Sequence, residues 1–116
     1  MTKSTQRIYL ELSDEDGIGT LTLGNKTYDC GGDPDFDYPS DSTIRGKDKE
    51  YCHHSREYDV DMYYAVLWDG TAGTYFHEWE TLEGSAGCIH LLEGDAEDFY
   101  DSIEEDRKYR ILFKWI

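Results

Sequence analysis

A chain of 116 residues has room for one compact domain, 1–116, and not for two. Ten Tyr, four Phe and three Trp supply an aromatic core, while 26 acidic residues against 11 basic ones leave a formal net charge of -15. A surface of that sign repels phosphate backbones and anionic membranes, which excludes nucleic acid as a partner and favours a cationic partner or a high-salt setting; no apolar run approaches the roughly 20 residues that cross a bilayer, so no membrane insertion is expected.

Met1 to Arg7 is polar and carries no leader pattern, so the expectation is synthesis in the cytoplasm and export by a route that reads no such signal. Arg7 to Leu12 alternates, with Ile8, Leu10 and Leu12 on one face, and predicts a strand. Ser13 to Gly17 is a turn; Gly19 to Leu23 is a second strand with Leu21 and Leu23 inward. Gly24-Asn25 is a two-residue hairpin signal leading into Lys26 to Cys30. Gly31 to Glu57 holds both prolines and no sustained period, and reads as long loops with at most one short strand. Asp61 to Trp68 predicts a central strand, Asp69-Gly70 a turn, and Gly73 to Trp79 a further strand with Tyr75 and His77 on one face. Thr81 to Gly87 is a connection rich in small residues, and Cys88 to Leu92 is short and apolar. Asp95 is placed to cap a helix running to about Glu105, with Ala96, Phe99, Tyr100 and Ile103 on one face. Arg107 to Ile116 alternates again and closes the domain. The expected class is mainly β with one helix.

The segment from His77 to His90 carries the chemistry. A thiol is a strong nucleophile only as thiolate, so it needs a base or a positive neighbour. Two neighbouring strands joined by this connection bring His77 toward Cys88. Gly87 removes a side chain just before the sulfur, and the amides of Gly87 and Cys88 are candidate oxyanion donors. Ser85 is a candidate brace or substrate donor. A backbone carbonyl or Glu78 is needed to orient His77, and the sequence does not choose between them. The plain alternative is a buried structural cysteine and a surface histidine.

With Gly73-Thr-Tyr-Phe-His77 followed by Ser85-Ala86-Gly87-Cys88-Ile89-His90, the chain resembles the bacterial L,D-transpeptidase catalytic domain of the YkuD type. The helix start at Asp95, the final strand, and the hairpin from Thr20 to Gly32 fall in the family's order. The resemblance implies a β-sandwich-type domain and acyl transfer on peptidoglycan stem peptides. Cys88 would be nucleophile and His77 base, with no cofactor and no metal. It departs in three places: the connection is short, Ala86 replaces a His, and His90 stands where Arg is usual. The short connection is similar to small L,D-transpeptidase toxins delivered by type VI secretion, which implies an antibacterial effector, a target periplasm and an immunity protein as partner. His90, His54 and Trp79 are then candidate substrate-binding residues.

Three other readings stay beside this one. An acidic immunity or adaptor protein would suit the charge and leave Cys88 inert. A cytoplasmic or phage-borne cysteine hydrolase acting on a different amide is the second. A zinc site could draw on Cys52, His53, His54, His77, Cys88 and His90, but no Cys-x-x-Cys or His-x-x-x-His spacing supports it, and adjacent histidines on an extended chain point apart. The acidic run Asp33 to Asp41 lacks the order of a calcium loop. Cys30 and Cys52 are the two thiols that would pair in an oxidising compartment.

Overall fold

The computed structural model describes residues 3–69, 71 and 73–116. The polar start at Met1 and Thr2, and Gly70 of the Asp69-Gly70 turn, lie outside the described residues. The strands are β1 (Gln6–Leu12), β2 (Ile18–Leu23), β3 (Lys26–Gly31), β4 (Asp41–Arg45), β5 (Glu50–Ser55), β6 (Val60–Leu67), β7 (Tyr75–Glu78), β8 (Ile89–Leu91) and β9 (Lys108–Trp115). They form one sheet in the order β4-β9-β1-β2-β3-β8-β7-β6-β5. An antiparallel bridge between Thr43 and Asp69 joins β4 to the chain just after β6, so the sheet curls around its core. The one α-helix among the described residues, α1 (Asp95–Ser102), packs on β6 and β7.

Period-two alternation drives the first half. Ile8, Leu10, Leu12, Leu21 and Leu23 point inward from β1 and β2, and Tyr28 and Cys30 from β3. Gly24 takes φ +62 in the hairpin between β2 and β3, a conformation that costs glycine nothing. β9 returns parallel to β1 over Gln6–Leu12 and buries Tyr109, Ile111 and Phe113. Trp68, with no exposed surface, donates its indole N–H to Ser42 and stacks on Tyr38 at 5.4 Å and 1°.

Three expectations need correction. Gly31 to Glu57 contains two strands and a 3-10 turn at Gly46–Asp48, not loops with one short strand. In β4 only Ile44 is buried, and β5 is the exposed edge of the sheet, so neither shows an apolar period; β9 and β6 impose their shape by register. The helix is capped by Gly94 at φ +87, with no side-chain cap bond, and Asp95 is its first residue. Asp95, Glu97 and Asp98 all sit in the first turn, where the helix dipole favours negative charge. It ends at Ser102, because Ile103 turns extended and buries its side chain. Cys30 and Cys52 are both free: Cys30 is buried on β3, Cys52 is exposed on β5, and β8, β7 and β6 lie between their strands.

Candidate active site

The site is built on the parallel pair β7–β8, whose register is Phe76 to Ile89, His77 to His90 and Glu78 to Leu91. Alternation gives this pair two different faces. Phe76 and Ile89 enter the main core. Tyr75 and His77 face the other way, with Cys88 just before β8 packed into a second cluster around Met62, Ala65 and Tyr75. A cavity of about 170 Å3 opens on this face, lined by Tyr58, Val60, Met62, His77, Trp79, Gly84, Ala86, Cys88 and His90. The structure therefore brings Cys88, His77, His90 and Trp79 to one cavity.

His77 is 3% exposed and its Nδ1–H donates to the backbone carbonyl of Glu78 at 2.8 Å. A carbonyl only accepts, so the neutral ring carries its lone pair on Nε2, as a base requires. The Glu78 carboxylate does not orient the ring. It lines a neighbouring cavity with Asp61, Tyr63, Glu80 and Glu93, where Trp79 is the shared wall. Burial, opposed by the Glu78 carbonyl and helped by His90, pushes the His77 pKa down to about 4. Burial likewise raises the Cys88 thiol; the Tyr75 backbone works against this, and Glu57 adds to it. The resting pair is thus thiol and neutral imidazole, not thiolate and imidazolium. For this sulfur to act as a nucleophile, its proton would have to be removed as it attacks.

His90 is 6% exposed, stacks on Trp79 at 5.5 Å and lies 5.3 Å from the His77 ring, centroid to centroid. Its Nδ1 is buried and has no hydrogen-bond partner among the described residues. Burial lowers its pKa, with the carbonyls of Thr81 and Glu83 acting against this. A neutral imidazole offers a substrate a hydrogen bond and no charge, so it does not replace the arginine's charge.

The Ser85–Cys88 turn is held on every side. Ser85 Oγ donates to the Cys88 carbonyl and accepts the Gly87 N–H at 3.0 Å, which commits the Gly87 amide to the turn. Gly87 takes φ +135, and a Cβ there would stand 3.0 Å from the Phe36 ring. Tyr38, in the loop after β3, donates its hydroxyl to the Gly87 carbonyl at 2.7 Å. Sequence reading passed over Tyr38, Val60 and Met62; the alternation of β6 was the available signal for the last two. His54 lies away from the cavity, on β5, its ring held by Asp61 at 2.8 Å and Asp59 at 3.1 Å. Among the described residues, no group of three or more His, Cys, Asp or Glu side chains is placed to hold a metal ion.

No protein-family model matches the chain, and no curated protein matches it significantly. Solved structures do. An L,D-transpeptidase from Stackebrandtia nassauensis superposes with a TM-score of 0.67 at 20% identity, over 95% of this chain and 56% of that one. An L,D-transpeptidase from Mycobacterium tuberculosis H37Rv gives 0.66 at 19%, over 95% and 57%. One from Xylanimonas cellulosilytica gives 0.64 at 15%, over 97% and 63%. The chain has the fold of L,D-transpeptidases, and it spans a little over half the length of these relatives.

Proposed function

We propose that the chain is a cysteine acyl-transfer enzyme acting on peptidoglycan stem peptides, in the manner of the L,D-transpeptidases whose fold it shares. One observation carries the reading: Cys88 and His77 line a single cavity, with the lone pair of His77 left on Nε2 by its bond to the Glu78 carbonyl. In the reaction, Cys88 Sγ attacks the carbonyl of the diamino acid in a tetrapeptide stem while His77 Nε2 takes the thiol proton. The tetrahedral intermediate collapses by breaking the C–N bond to the terminal D-alanine, whose amine takes the proton back from His77. Water, a stem amine or a free D-amino acid then accepts the acyl group from the thioester. His90 Nδ1 accepts a hydrogen bond from substrate or, in its other tautomer, donates one, and Trp79 walls the peptide.

The short connection between His77 and Cys88 supports a finer reading: a delivered toxin that cuts or caps stems in a target periplasm and is held in check by an immunity protein. Purified tetrapeptide stems incubated with wild type and Cys88→Ser, followed by mass spectrometry, test the enzyme reading. Wild type is expected to release D-alanine and the variant to release none. Unchanged stems with a folded wild type would leave the acidic binding protein in its place.

A further inference from the structure

Two hydrogen bonds at one hydroxyl and one planar peptide connect the loop after β3 to the reacting sulfur. The Tyr38 ring is 5% exposed; it is stacked on Trp68 at 5.4 Å and wedged against Phe113 at 5.3 Å, which leaves the hydroxyl nowhere else to go. That hydroxyl accepts the Asp33 N–H at 2.9 Å and donates to the Gly87 carbonyl at 2.7 Å. Burial raises the phenol's pKa, so it keeps the proton it donates. The Gly87–Cys88 peptide is trans, and in a trans peptide the C=O and the N–H point in opposite directions. With the Gly87 carbonyl drawn toward Tyr38 in the main core, the Cys88 N–H must point to the other face. That is the face on which the sulfur and His77 lie. The Ser85 bond already uses the neighbouring Gly87 amide, and no loop hydrogen bond among the described residues uses Cys88 N–H.

We infer that Tyr38 is a positioning residue for acyl transfer: by holding the Gly87 carbonyl it aims the Cys88 amide at the oxyanion that forms when the sulfur attacks a carbonyl. This rests on the acyl-transfer reading above and adds to it a residue 49 positions before Gly87. Tyr38 touches no reacting atom. Its effect is confined to steps in which negative charge develops on a carbonyl oxygen. Ser85 Oγ, in contrast, fixes the turn whether or not an oxyanion forms.

Tyr38→Phe keeps the ring and its stacking and deletes the one donor. The test compares two reactions at Cys88 in a Cys52→Ser background, each followed by peptide mapping. With p-nitrophenyl acetate, the sulfur forms a C–S bond, the C–O bond to p-nitrophenolate breaks, and the thiol proton passes to His77 and then to solvent; an oxyanion forms on the way. With iodoacetamide, the sulfur displaces iodide from carbon and no oxyanion forms. Tyr38→Phe is expected to slow acylation about 10- to 100-fold, somewhat less than outright loss of an oxyanion donor, and to leave alkylation unchanged. Equal loss in both reactions would make Tyr38 a purely structural residue and overturn the inference. So would no loss in either, or a wild-type Cys88 that takes no acyl group. A wild type that is acylated by the ester but leaves tetrapeptide stems intact would instead overturn the substrate reading, and the acylation-to-alkylation ratio would still judge Tyr38.

Discussion

The β1–β2–β3 ladder and the β7–β8 pair are built from the same alternation but spend their second face differently. In the ladder, antiparallel pairing runs unbroken from Leu12–Gly19 to Ile8–Leu23 and from Leu23–Lys26 to Ile18–Gly31, and the face opposite the aliphatic core meets solvent at Tyr9, Asp29 and Thr27. β7 and β8 share only the registers from Phe76 to Glu78, and both faces are largely shielded from solvent: one carries Phe76 and Ile89, the other Tyr75, His77, Cys88 and His90 around the cavity. Polar groups on a solvated face cost little. Polar groups on a shielded face lose their water, and burial accordingly lowers the pKa values of His77 and His90 and raises that of the Cys88 thiol. The short pair is held by its neighbours β3 and β6 and by α1, and this lets it carry a tight glycine turn and two desolvated imidazoles.

The largest expected separation between the regions is one of kind. His77→Ala should cut stem cleavage roughly 100- to 10,000-fold through loss of the general base. Leu10→Ala should cost about 2–5 kcal/mol of stability with little change in turnover per folded molecule. Steady-state kinetics and urea melts on both variants check this. A His77→Ala enzyme of near-normal turnover would dissolve the distinction.

Stability against pH sharpens the same contrast. His77 has its pKa lowered from 6.5 to about 4 in the folded chain, so between these values the unfolded chain binds a proton that the folded one does not. Stability from this group is therefore intact above pH 6.5 and lost as pH falls toward 4, by about 3 kcal/mol in all. His90 is lowered too and acts in the same direction. His77→Gln should flatten most of the slope in that window when thermal midpoints are measured from pH 4 to 7. An unchanged slope would mean that His90 and the carboxylates, not His77, set acid stability.

What the sequence made legible follows from the same division. β1, β2, β3 and β9 announce themselves because one face is apolar at period two. His77 could be assigned to a face because Tyr75 precedes it by two residues. β4 and β5 stayed hidden because Ile44 is the only fully buried side chain between them that an apolar period could use. The Asp95 cap was misplaced because Gly94, at φ +87, turns the chain so that the Leu92 carbonyl accepts the Ala96 N–H at 3.0 Å, a bond a capping side chain would otherwise supply. The Glu78 carbonyl, which orients His77, and the Tyr38 hydroxyl, which holds Gly87, are invisible to spacing: one is main chain, the other comes from a distant loop.

A smaller effect is expected at Ser85. Its hydroxyl joins the Cys88 carbonyl to the Gly87 amide, and Ser85→Ala frees both. The turn keeps the Tyr38 bond and the contact of Phe36 with Gly87. A loss of about tenfold in turnover, about 1.4 kcal/mol, is therefore expected, the size of one ordinary hydrogen bond. A loss as large as that of His77→Ala would make Ser85 part of the reacting machinery.

The three thiols offer the mildest perturbation, since labelling changes no backbone. Cys52 is exposed on the edge strand β5, Cys88 is half-buried in the cavity, and Cys30 has no exposed surface. Burial pushes the Cys30 thiol up to about 12 and raises Cys88, and desolvation with the Asp61 and Glu50 carboxylates raises Cys52, so none of the three rests as thiolate near neutral pH and exposure sets the order of reaction. Iodoacetamide at neutral pH should therefore modify Cys52 first, Cys88 more slowly and Cys30 only after unfolding, as read by peptide mapping over time. Activity should survive the first event and disappear with the second, because only Cys88 shares a cavity with His77. Labelling of Cys30 in the folded chain at a rate near that of Cys88 would show that the β3–β8 junction, paired only through Cys30–Leu91 and Gly31–His90, opens as readily as the site beside it. The β1–β2–β3 ladder would then end at the site's edge as a moving part and not as a frame.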